Sequence, residues 1–471
     1  MPASATKNRR VLNVFILAMF NASIMISLRN LPLVSEFGLS LIFYFFIVAL
    51  FFLVPSALVS AELASGWPKE GGVYIWVREG LGDRFGFLAI WMQWAHNLSW
   101  YPVILSFVAA TMAYVISPDL AKNKLFITSI ILFGFWGMTL LNYLGIKTSS
   151  WFSSLGVILG TIAPGLFIIA LGLAWILSGN PIQTPISAEA LVPDLSSIGN
   201  IVFLAGLFLA FGGLEVSASY AQEVQNPQKN YPRAILIAAV LTFSIFLLGS
   251  LAISFVIPKS EISLITGLIE AFYSFFSHYN IEWVLPIMGV LLIVGAVAEV
   301  NSWIIGPVKG LHATSLHGNL PPIFQKVNKH DVPTNLLLFQ AIIVSITSLV
   351  FLYMPNVSSA FWILTAMSAQ SYLIMYVLMF IAAIRLHYKK PHVPRAYRVP
   401  YEKRGIWIFS CMGIVASVFA ILLGFVPPTQ LNVGNVYVYS LILLLGLLII
   451  SAVPLIIHEF RKPDWIKKTK Q

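Results

Sequence analysis

The chain has 471 residues, of which 58% are hydrophobic and only 10% are charged. This composition excludes an ordinary soluble domain and indicates a membrane protein with many spans. The formal net charge of +10 does not indicate nucleic-acid binding, because the basic residues lie in short loops between apolar segments. The single cysteine, Cys411, excludes a disulfide within the chain and a cysteine-based metal site.

Twelve apolar segments are long enough to cross a membrane, which takes about 20 residues of helix. The first follows Lys7, Arg9 and Arg10 but lacks a clear cleavage site, so we interpret it as a retained helix. The sequence therefore predicts an all-α protein with twelve transmembrane helices, here called spans 1 to 12: 11–34, 39–61, 85–116, 125–144, 151–177, 199–222, 234–257, 283–307, 334–354, 360–385, 405–427 and 436–458.

The basic residues predict the orientation of these spans. With an even number of spans both termini lie on one side, and a cytoplasmic location puts all but four of the 28 Lys and Arg residues on that side. The exceptions are Lys122, Lys124 and Lys259 in outer loops and Arg29 within span 1. Cytoplasmic loops carry the excess of Lys and Arg, so we expect both termini in the cytoplasm.

Span 1 carries small polar residues, a charge and a proline where lipid favours leucine, from Asn21 to Pro32. The residue before a proline is biased away from helix, and Ser23 and Ser27 can bond freed backbone groups. Span 1 is therefore a candidate discontinuous helix. Arg29 either faces a cavity or lies near the outer end and extends to the interface.

The loop after span 2 has a tight turn at Pro68 and at Gly71-Gly72, followed by a segment to Gly82 that resembles a short interfacial helix. On span 3, the polar side chains share one helical side and should face a cavity or another helix rather than lipid. They are Gln93, Asn97 and Trp100, with His96 and Ser99 on a neighbouring stripe. His96 is either a proton carrier or a hydrogen-bonding packing residue.

Span 6 is interrupted by Phe211-Gly212-Gly213-Leu214-Glu215 and closes at Asn226-Pro227 and Tyr231-Pro232. Adjacent glycines weaken a helix by roughly 1 kcal/mol each, and a carboxylate at the centre of a membrane helix costs about 3 kcal/mol or more. This combination is typical of a binding site where open backbone faces a cavity. The alternative is a packing pair of glycines with Glu215 bonded to a neighbouring helix.

Two later spans add further candidates. Span 8 carries a second deeply placed carboxylate, Glu299, which has either a transport role or a bond to another helix. On span 10, Tyr372 and Tyr376 are four residues apart and share a face that can line a pathway, although such pairs are as often packing residues.

Enzyme chemistry has no support in the sequence. No phosphate-binding loop, zinc-ligand cluster or nucleophile triad occurs at useful spacing, so we expect no catalysis, no cofactor and no bound metal. A short basic tail from Glu459 to Gln471 follows span 12, which argues against a soluble output domain.

These motifs resemble the amino acid–polyamine–organocation superfamily of secondary transporters, and within it the bacterial glutamate/GABA antiporters. The resemblance covers nearly the whole chain. It rests on Ala61-Glu62-Leu63 with Pro68 and Gly71–Tyr74, on Phe211–Glu215 with Glu223–Pro227 and Tyr231–Ala234, and on Glu299–Pro307 with Tyr372 and Tyr376.

The resemblance implies two inverted repeats of five spans, at about 11–177 and 199–385, followed by two peripheral helices at about 405–458. Substrate would bind near the midplane between broken spans 1 and 6. The implied substrate-binding residues are Ser23, Ile24, Met25, Ile26, Gly212, Gly213, Leu214, Trp303, Tyr372 and Tyr376. Glu215, Glu299 and His96 are the candidates for proton coupling or gating, and Arg29, Gln93 and Asn97 for selectivity.

Two departures from the family pattern matter. The usual glycine-rich break of span 1 is replaced here by Ser23–Ser27 followed by Arg29, which weakens the expectation for local backbone contacts. The acid-resistance antiporters also carry a long C-terminal tail that closes the cytoplasmic side at neutral pH. Only a short tail follows span 12 here, so we expect no abrupt shut-off at neutral pH.

The sequence therefore predicts an amino-acid antiporter of a bacterial cytoplasmic membrane, which takes an amino-acid substrate and a counter-substrate and works by alternating access. A proton-coupled symporter is the nearest alternative, with Glu215 or Glu299 carrying the proton. A membrane amino-acid sensor is an alternative of another class, although signalling chains generally have a soluble output domain. A channel is disfavoured because no filter-like loop repeats.

Overall fold

A computed structural model describes residues 13–69, 71–193, 201–202, 204–217, 224–428 and 434–466. Within these ranges the chain is helical and forms no β-strand. The predictions for Lys7, Arg9 and Arg10, for Glu223 and for Lys467–Gln471 lie outside the described residues. Ten helices of the described part are long and apolar enough to cross a membrane, and they correspond to ten of the predicted spans. The predicted all-α membrane fold is confirmed.

The two remaining spans, 1 and 6, are built from shorter helices. In order, the helices of the spans are Val14–Met25 and Asn30–Ser35 (span 1), Leu41–Val48 and Val54–Gly66 (2), Asp83–Ile116 (3), Lys124–Tyr143 (4), Ile146–Val157 and Ala163–Leu177 (5), Leu204–Ala210 (6), Pro227–Val256 (7), Leu285–Leu316 (8), Thr334–Ser348 and Val350–Tyr353 (9), Val357–Lys389 (10), Glu402–Leu423 (11) and Val436–Glu459 (12).

Span 1 breaks where the polar residues predicted it. The helix Val14–Met25 ends at Ile26, whose backbone is extended, and a second helix begins at Asn30. Ser23 compensates part of the break, since its hydroxyl donates to the carbonyl of Phe20 at 2.7 Å. The break therefore leaves backbone groups of the middle of span 1 without helical partners.

Span 6 breaks at the glycine pair. Its helix ends at Ala210, and Gly213 has a φ of 116°, a conformation that side-chain-bearing residues rarely adopt. A Cβ at Gly212 would lie 2.6 Å from the Tyr372 ring, so the absence of a side chain also permits close packing on span 10. Gly213 thus permits the bend of span 6, and Gly212 permits its close contact with Tyr372.

Spans 2 and 5 each contain one π-helical turn, Ala49–Leu53 and Ile158–Ile162. Each turn is followed at the same distance by a proline, Pro55 or Pro164. A proline within a helix lacks an N–H and its ring clashes with the carbonyl four residues earlier, and a wider turn relieves that clash.

Several predicted boundaries are wrong. Span 8 was expected to end at Pro307, but the helix continues through this proline to Leu316. Span 7 begins at Pro227 rather than at 234, and span 10 extends to Lys389. Apolar length predicts only the hydrophobic part of a helix, whereas these helices continue beyond their predicted apolar segments.

Among the described residues, two short α-helices lie outside the predicted spans. Val73–Leu81 was expected at the membrane interface, but its Tyr74 and Trp76 are fully buried and the helix packs against spans 3 and 10. Gly267–His278 packs against spans 7 and 8 and was not predicted, because its 12 residues are too few to register as a span.

Burial identifies the centre of the molecule. Span 3 is 78% buried over its most apolar stretch and packs against spans 8 and 10, whereas span 12 is only 17% buried and faces outward. Polar residues on span 3 are therefore inside the protein, as their shared face predicted. The division into two inverted repeats stays a prediction.

Candidate functional site

The two broken spans meet at a cavity in the interior of the helix bundle. Five spans border it, through Ile24, Met25, Ser27, Arg29 and Asn30 of span 1, His96 and Trp100 of span 3, Leu209, Ala210 and Gly212 of span 6, Glu299 and Trp303 of span 8, and Tyr372 of span 10. The cavity volume is about 20 Å³, which is room for a water molecule but not for an amino acid. The structure therefore represents a closed conformation of the site.

Glu215 is held by three side-chain donors. It is buried, and its Oε1 accepts a hydrogen bond from Gln93 Nε2 at 2.8 Å and another from the hydroxyl of Tyr372. The hydroxyl of Tyr376 donates to Oε2 at 2.5 Å. Bonds of this kind are what a carboxylate needs to remain inside a membrane protein. They connect the break of span 6 to spans 3 and 10.

The two tyrosines of span 10 have different positions. Tyr372 borders the cavity, whereas Tyr376 lies behind it, with its ring 4.9 Å from that of Phe52. The Tyr376 hydroxyl also accepts a hydrogen bond from the Gly213 N–H at 2.9 Å. Tyr376 thus fixes the backbone of the break rather than contacting the cavity.

An aromatic cluster forms one wall of the site. Trp303 donates from its indole nitrogen to the carbonyl of Ile24 at 3.1 Å, which joins span 8 to the broken end of span 1. Its ring lies 5.6 Å from Trp100 and 5.2 Å from His96. His96 stacks on Tyr372, with ring centroids 4.3 Å apart and 10° between planes.

His96 is part of this cluster and also bonds to span 10. Its Nδ1 lies 2.7 Å from the hydroxyl of Ser368, while its Nε2 has no hydrogen-bond partner among the described groups. The Ser368 bond agrees with the packing alternative for His96, and the unpartnered nitrogen leaves the coupling alternative open.

Arg29 lies in the cavity rather than at the outer interface. Its side chain is buried, with the guanidinium carbon 5.8 Å from the ring centres of both Trp100 and Phe361. Glu299 borders the same cavity and interacts electrostatically with Arg29. Of the two positions that the sequence left open for Arg29, the structure selects the cavity.

Gln93 and Asn97 do not border the cavity. Gln93 supports Glu215 from behind, and the Asn97 amide donates to the Gln93 carbonyl at 3.1 Å. Ser23 lies 3.3 Å from the hydroxyl of Ser302 on span 8. These residues position others rather than contact the cavity.

The remaining backbone candidates lie at the two breaks, and the N–H groups of Ile26 and Gly212 are already engaged. The Ile26 N–H donates to the carbonyl of Ala22, and the Gly212 N–H to that of Leu209. Leu214 is buried beside them. Backbone binding of a substrate carboxylate would therefore require these groups to rearrange.

Asn30, Ser368 and Ser302 were missed as site residues by the sequence reasoning. Asn30 stands in the polar stretch of span 1 that drew attention to Arg29, so a signal for it existed. Ser368 and Ser302 become visible only through their partners, His96 and Ser23, which are 272 and 279 residues away.

A helical bundle with two broken spans around a closed central cavity defines a membrane transport protein. Comparison with known families agrees, because the family model described as amino acid permease matches residues 11–448. The chain belongs to this family of amino-acid transporters, and the predicted superfamily is confirmed.

Individual relatives give closer comparisons. An uncharacterized transporter of Legionella pneumophila is 42% identical over 95% of this chain and 96% of its own length. A glutamate/gamma-aminobutyrate antiporter of Lactococcus lactis is 31% identical over 96% of this chain and 91% of its own length. A probable agmatine/putrescine antiporter of the same species is 21% identical over 84% of this chain and 83% of its own length.

Proposed function

We propose that this protein exchanges amino acids across a bacterial cytoplasmic membrane by alternating access, with both termini in the cytoplasm. Glutamate and GABA are the first exchange pair to test, because two relatives named as antiporters of this pair are 31% and 32% identical over 96% of the chain. The observation that carries the proposal is the meeting of two interrupted spans at one buried cavity.

The break of span 1 supplies acceptors for the substrate ammonium. Helix Val14–Met25 ends at this point, and the last carbonyl groups of a helix lack partners within it and carry its negative partial charge. The carbonyl of Ile24 currently accepts from Trp303. A substrate amino group that displaced the indole would connect binding to a movement of span 8.

The break of span 6 supplies a charged group that joins moving parts. Glu215 belongs to span 6, while its donors Gln93 and Tyr372 belong to spans 3 and 10. Exchange requires that the empty carrier reorients slowly. Because this bond set must be remade whenever span 6 moves against spans 3 and 10, it is a suitable barrier to reorientation without substrate.

The test is counterflow in proteoliposomes with a panel of labelled amino acids. We expect uptake of labelled glutamate to require unlabelled glutamate or GABA inside. Uptake that needs no internal amino acid would overturn the exchange mechanism. Saturable binding to the purified protein without any uptake would support the sensor alternative.

Proton-coupled symport is the second candidate, because two buried carboxylates, Glu215 and Glu299, lie at or beside the cavity. The two mechanisms differ in their response to an imposed proton gradient. Symport predicts net accumulation into empty vesicles that are acidified outside, and a protonophore would abolish it. Exchange predicts no such accumulation.

A further inference from the structure

We infer that Arg29 is the selectivity residue of this transporter and that it selects substrates with a carboxylate at the end of the side chain. This inference rests on the proposed function only in placing the substrate in the cavity between spans 1 and 6. It adds the side chain that recognises the substrate, and a preference for a free carboxylate at this position over a carboxamide or an ammonium.

The guanidinium of Arg29 has unused hydrogen-bond donors in the interior of the protein. The residue is 2% exposed, and neither its Nε nor its Nη1 has a hydrogen-bond partner within the described part of the chain. These two atoms carry three of the five N–H donors of an arginine. Buried charged groups normally have their donors satisfied, and the cavity beside Arg29 is where a substrate carboxylate can reach these donors.

A second buried arginine, Arg395, shows how most of the hydrogen-bond donors of an arginine with a structural role are satisfied. Arg395 is equally enclosed, with a side chain 3% exposed. Its Nη1 donates to Glu62 at 2.7 Å and its Nη2 to the carbonyls of Leu386 and Lys390. The Nε of Arg395 is unpartnered, as is that of Arg29, so the difference between the two arginines lies at Nη1, which is bonded in Arg395 and unpartnered in Arg29.

Aromatic rings hold the Arg29 side chain without consuming its donors. The guanidinium carbon lies 5.8 Å from the centres of the Trp100 and Phe361 rings. A ring face attracts the cation electrostatically, whereas the N–H groups of a guanidinium lie in its own plane. The group is therefore oriented before a ligand arrives, which reduces the entropy lost on binding.

Glu299 balances the charge of Arg29 but does not occupy its free donors. Both residues border the same cavity and interact electrostatically, yet Nε and Nη1 of Arg29 stay unpartnered. Glu299 makes a buried cation tolerable in the absence of substrate. It also opposes an incoming anion, so removing its charge should strengthen the binding of an acidic substrate.

The position of Arg29 fits a substrate side chain. It borders the cavity together with Ile24 and Gly212, the backbone positions at the two breaks. An amino acid whose amino and carboxylate groups bind at the breaks therefore extends its side chain within the same cavity. A carboxylate satisfies the vacant donors best, a carboxamide oxygen satisfies them in part, and an ammonium is repelled.

The experiment compares glutamate with glutamine, which have nearly equal volume, as competitors of counterflow. In the wild type glutamate should compete better. In Arg29→Gln the ratio of the apparent affinity for glutamate to that for glutamine should fall about tenfold or more, with glutamine still exchanged. In Arg29→Lys this ratio should lie between those of the wild type and Arg29→Gln. The exposed Arg398→Gln is the matched control and should leave the ratio unchanged.

A ratio measured within one variant does not depend on how much of that variant folds. If Arg29→Gln yields no folded protein, Glu299→Gln gives the second test, because Arg29 remains while its countercharge is lost, and the preference for glutamate should rise. An unchanged ratio in either variant that folds overturns the inference.

The same comparison can be made without transport. Thermal stabilisation of the detergent-purified protein by glutamate and by glutamine reports binding alone. If the wild type exchanges no amino acid, the proposed function fails, while a preference for glutamate in stabilisation that Arg29→Gln abolishes would still support the role of Arg29. If exchange is normal and the preference does not depend on Arg29, only the selectivity inference fails.

Discussion

At the scale of single residues, Glu215 is the group whose environment is most complete. Its two carboxylate oxygens receive hydrogen bonds from Gln93, Tyr372 and Tyr376. A glutamine side chain has the same shape, and a tyrosine hydroxyl can accept from its amide as well as donate. A change of Glu215 to glutamine therefore tests the effect of the charge at this position without changing the shape of the side chain.

We expect Glu215→Gln to lower exchange about tenfold or more while the thermal stability stays near that of the wild type, because a charge-assisted bond set is lost at nearly equal volume. Counterflow and thermal unfolding should be measured on the same preparation. Wild-type exchange at every pH tested would show that the charge has no transport role. A large drop in folded protein would instead support a packing role.

Glu36 gives a pH-dependent prediction just after the C-terminal end of span 1. Burial raises the pKa of Glu36 to about 7, and nearby Lys259 opposes this shift. The folded protein therefore binds this proton more tightly than the unfolded chain. The resulting stability is fully present below the usual pKa of 4.5 and is lost as the pH rises through about 7.

Glu36→Gln mimics the protonated form. It should match the wild type in thermal stability below the usual pKa of 4.5 and exceed it near pH 8 to 9, with the difference growing between 4.5 and about 7. Thermal unfolding in detergent across this range measures the effect. The control is Glu261→Gln, which changes an exposed carboxylate. A constant difference across the range would contradict the prediction.

At the scale of elements, a buried ion pair attaches the C-terminal end of span 2 to the loop after span 10. Glu62 accepts from Arg395 at 2.7 Å and from the backbone N–H of Val399 at 2.8 Å. Both side chains of the pair are almost wholly buried. The loop between spans 10 and 11 is therefore held against span 2.

Arg395→Ala should destabilise the protein by about 3–5 kcal/mol, because it leaves Glu62 buried without its partner. Arg398→Ala, which removes the exposed pair with Glu402, should cost less than about 1 kcal/mol. Denaturant unfolding of both variants makes the comparison. Adding Glu62→Gln to Arg395→Ala should recover part of the loss, and no recovery would contradict the pairing.

The same scale shows which elements the sequence can predict. Apolar length is a local property, so ten spans were predicted as continuous helices, and Gly212-Gly213 predicted the break of span 6. The burial of the helix Val73–Leu81 was not predicted, because it depends on neighbours from distant parts of the chain. The predicted end of span 8 at Pro307 was wrong, because prolines are tolerated within membrane helices where neighbouring groups satisfy the freed backbone.

At the scale of the whole molecule, the described part of the C-terminal tail, residues 460–466, is packed against the ends of other spans. Arg461 contacts Asp83 at the start of span 3, at 2.5 Å. The Trp465 carbonyl accepts from Gln325 at 2.6 Å, and Ile466 pairs with His317 just after span 8. Even a short tail thus contacts segments from two other parts of the chain.

Deletion of residues 467–471 should leave the pH profile of exchange unchanged between about pH 5 and 8, since it spares these contacts. Deletion of residues 463–471 removes the contacts of Trp465 and Ile466 and should lower thermal stability. Uptake and unfolding of both truncations test this. A steep loss of exchange near neutral pH that the shorter deletion abolishes would show that the tail acts as a gate.

Long-range pairing also explains what the sequence left open at the site. Glu215, Tyr372 and Gln93 were each recognised as candidates, but their mutual bonds span 122 and 157 residues of chain. The depth of Arg29 was undetermined because the helix direction after the break of span 1 depends on tertiary packing. Single residues were therefore predictable, whereas their partners were not.

The indole pair at the cavity gives the protein an optical reporter of its own. Trp100 and Trp303 both border the cavity, with ring centroids 5.6 Å apart. A substrate that enters must displace or polarise these rings, and so must alter their fluorescence. Of the 13 tryptophans in the chain, these two would carry the signal, which Trp100→Phe would halve or abolish. Occupancy of the site could then be followed in real time without a label.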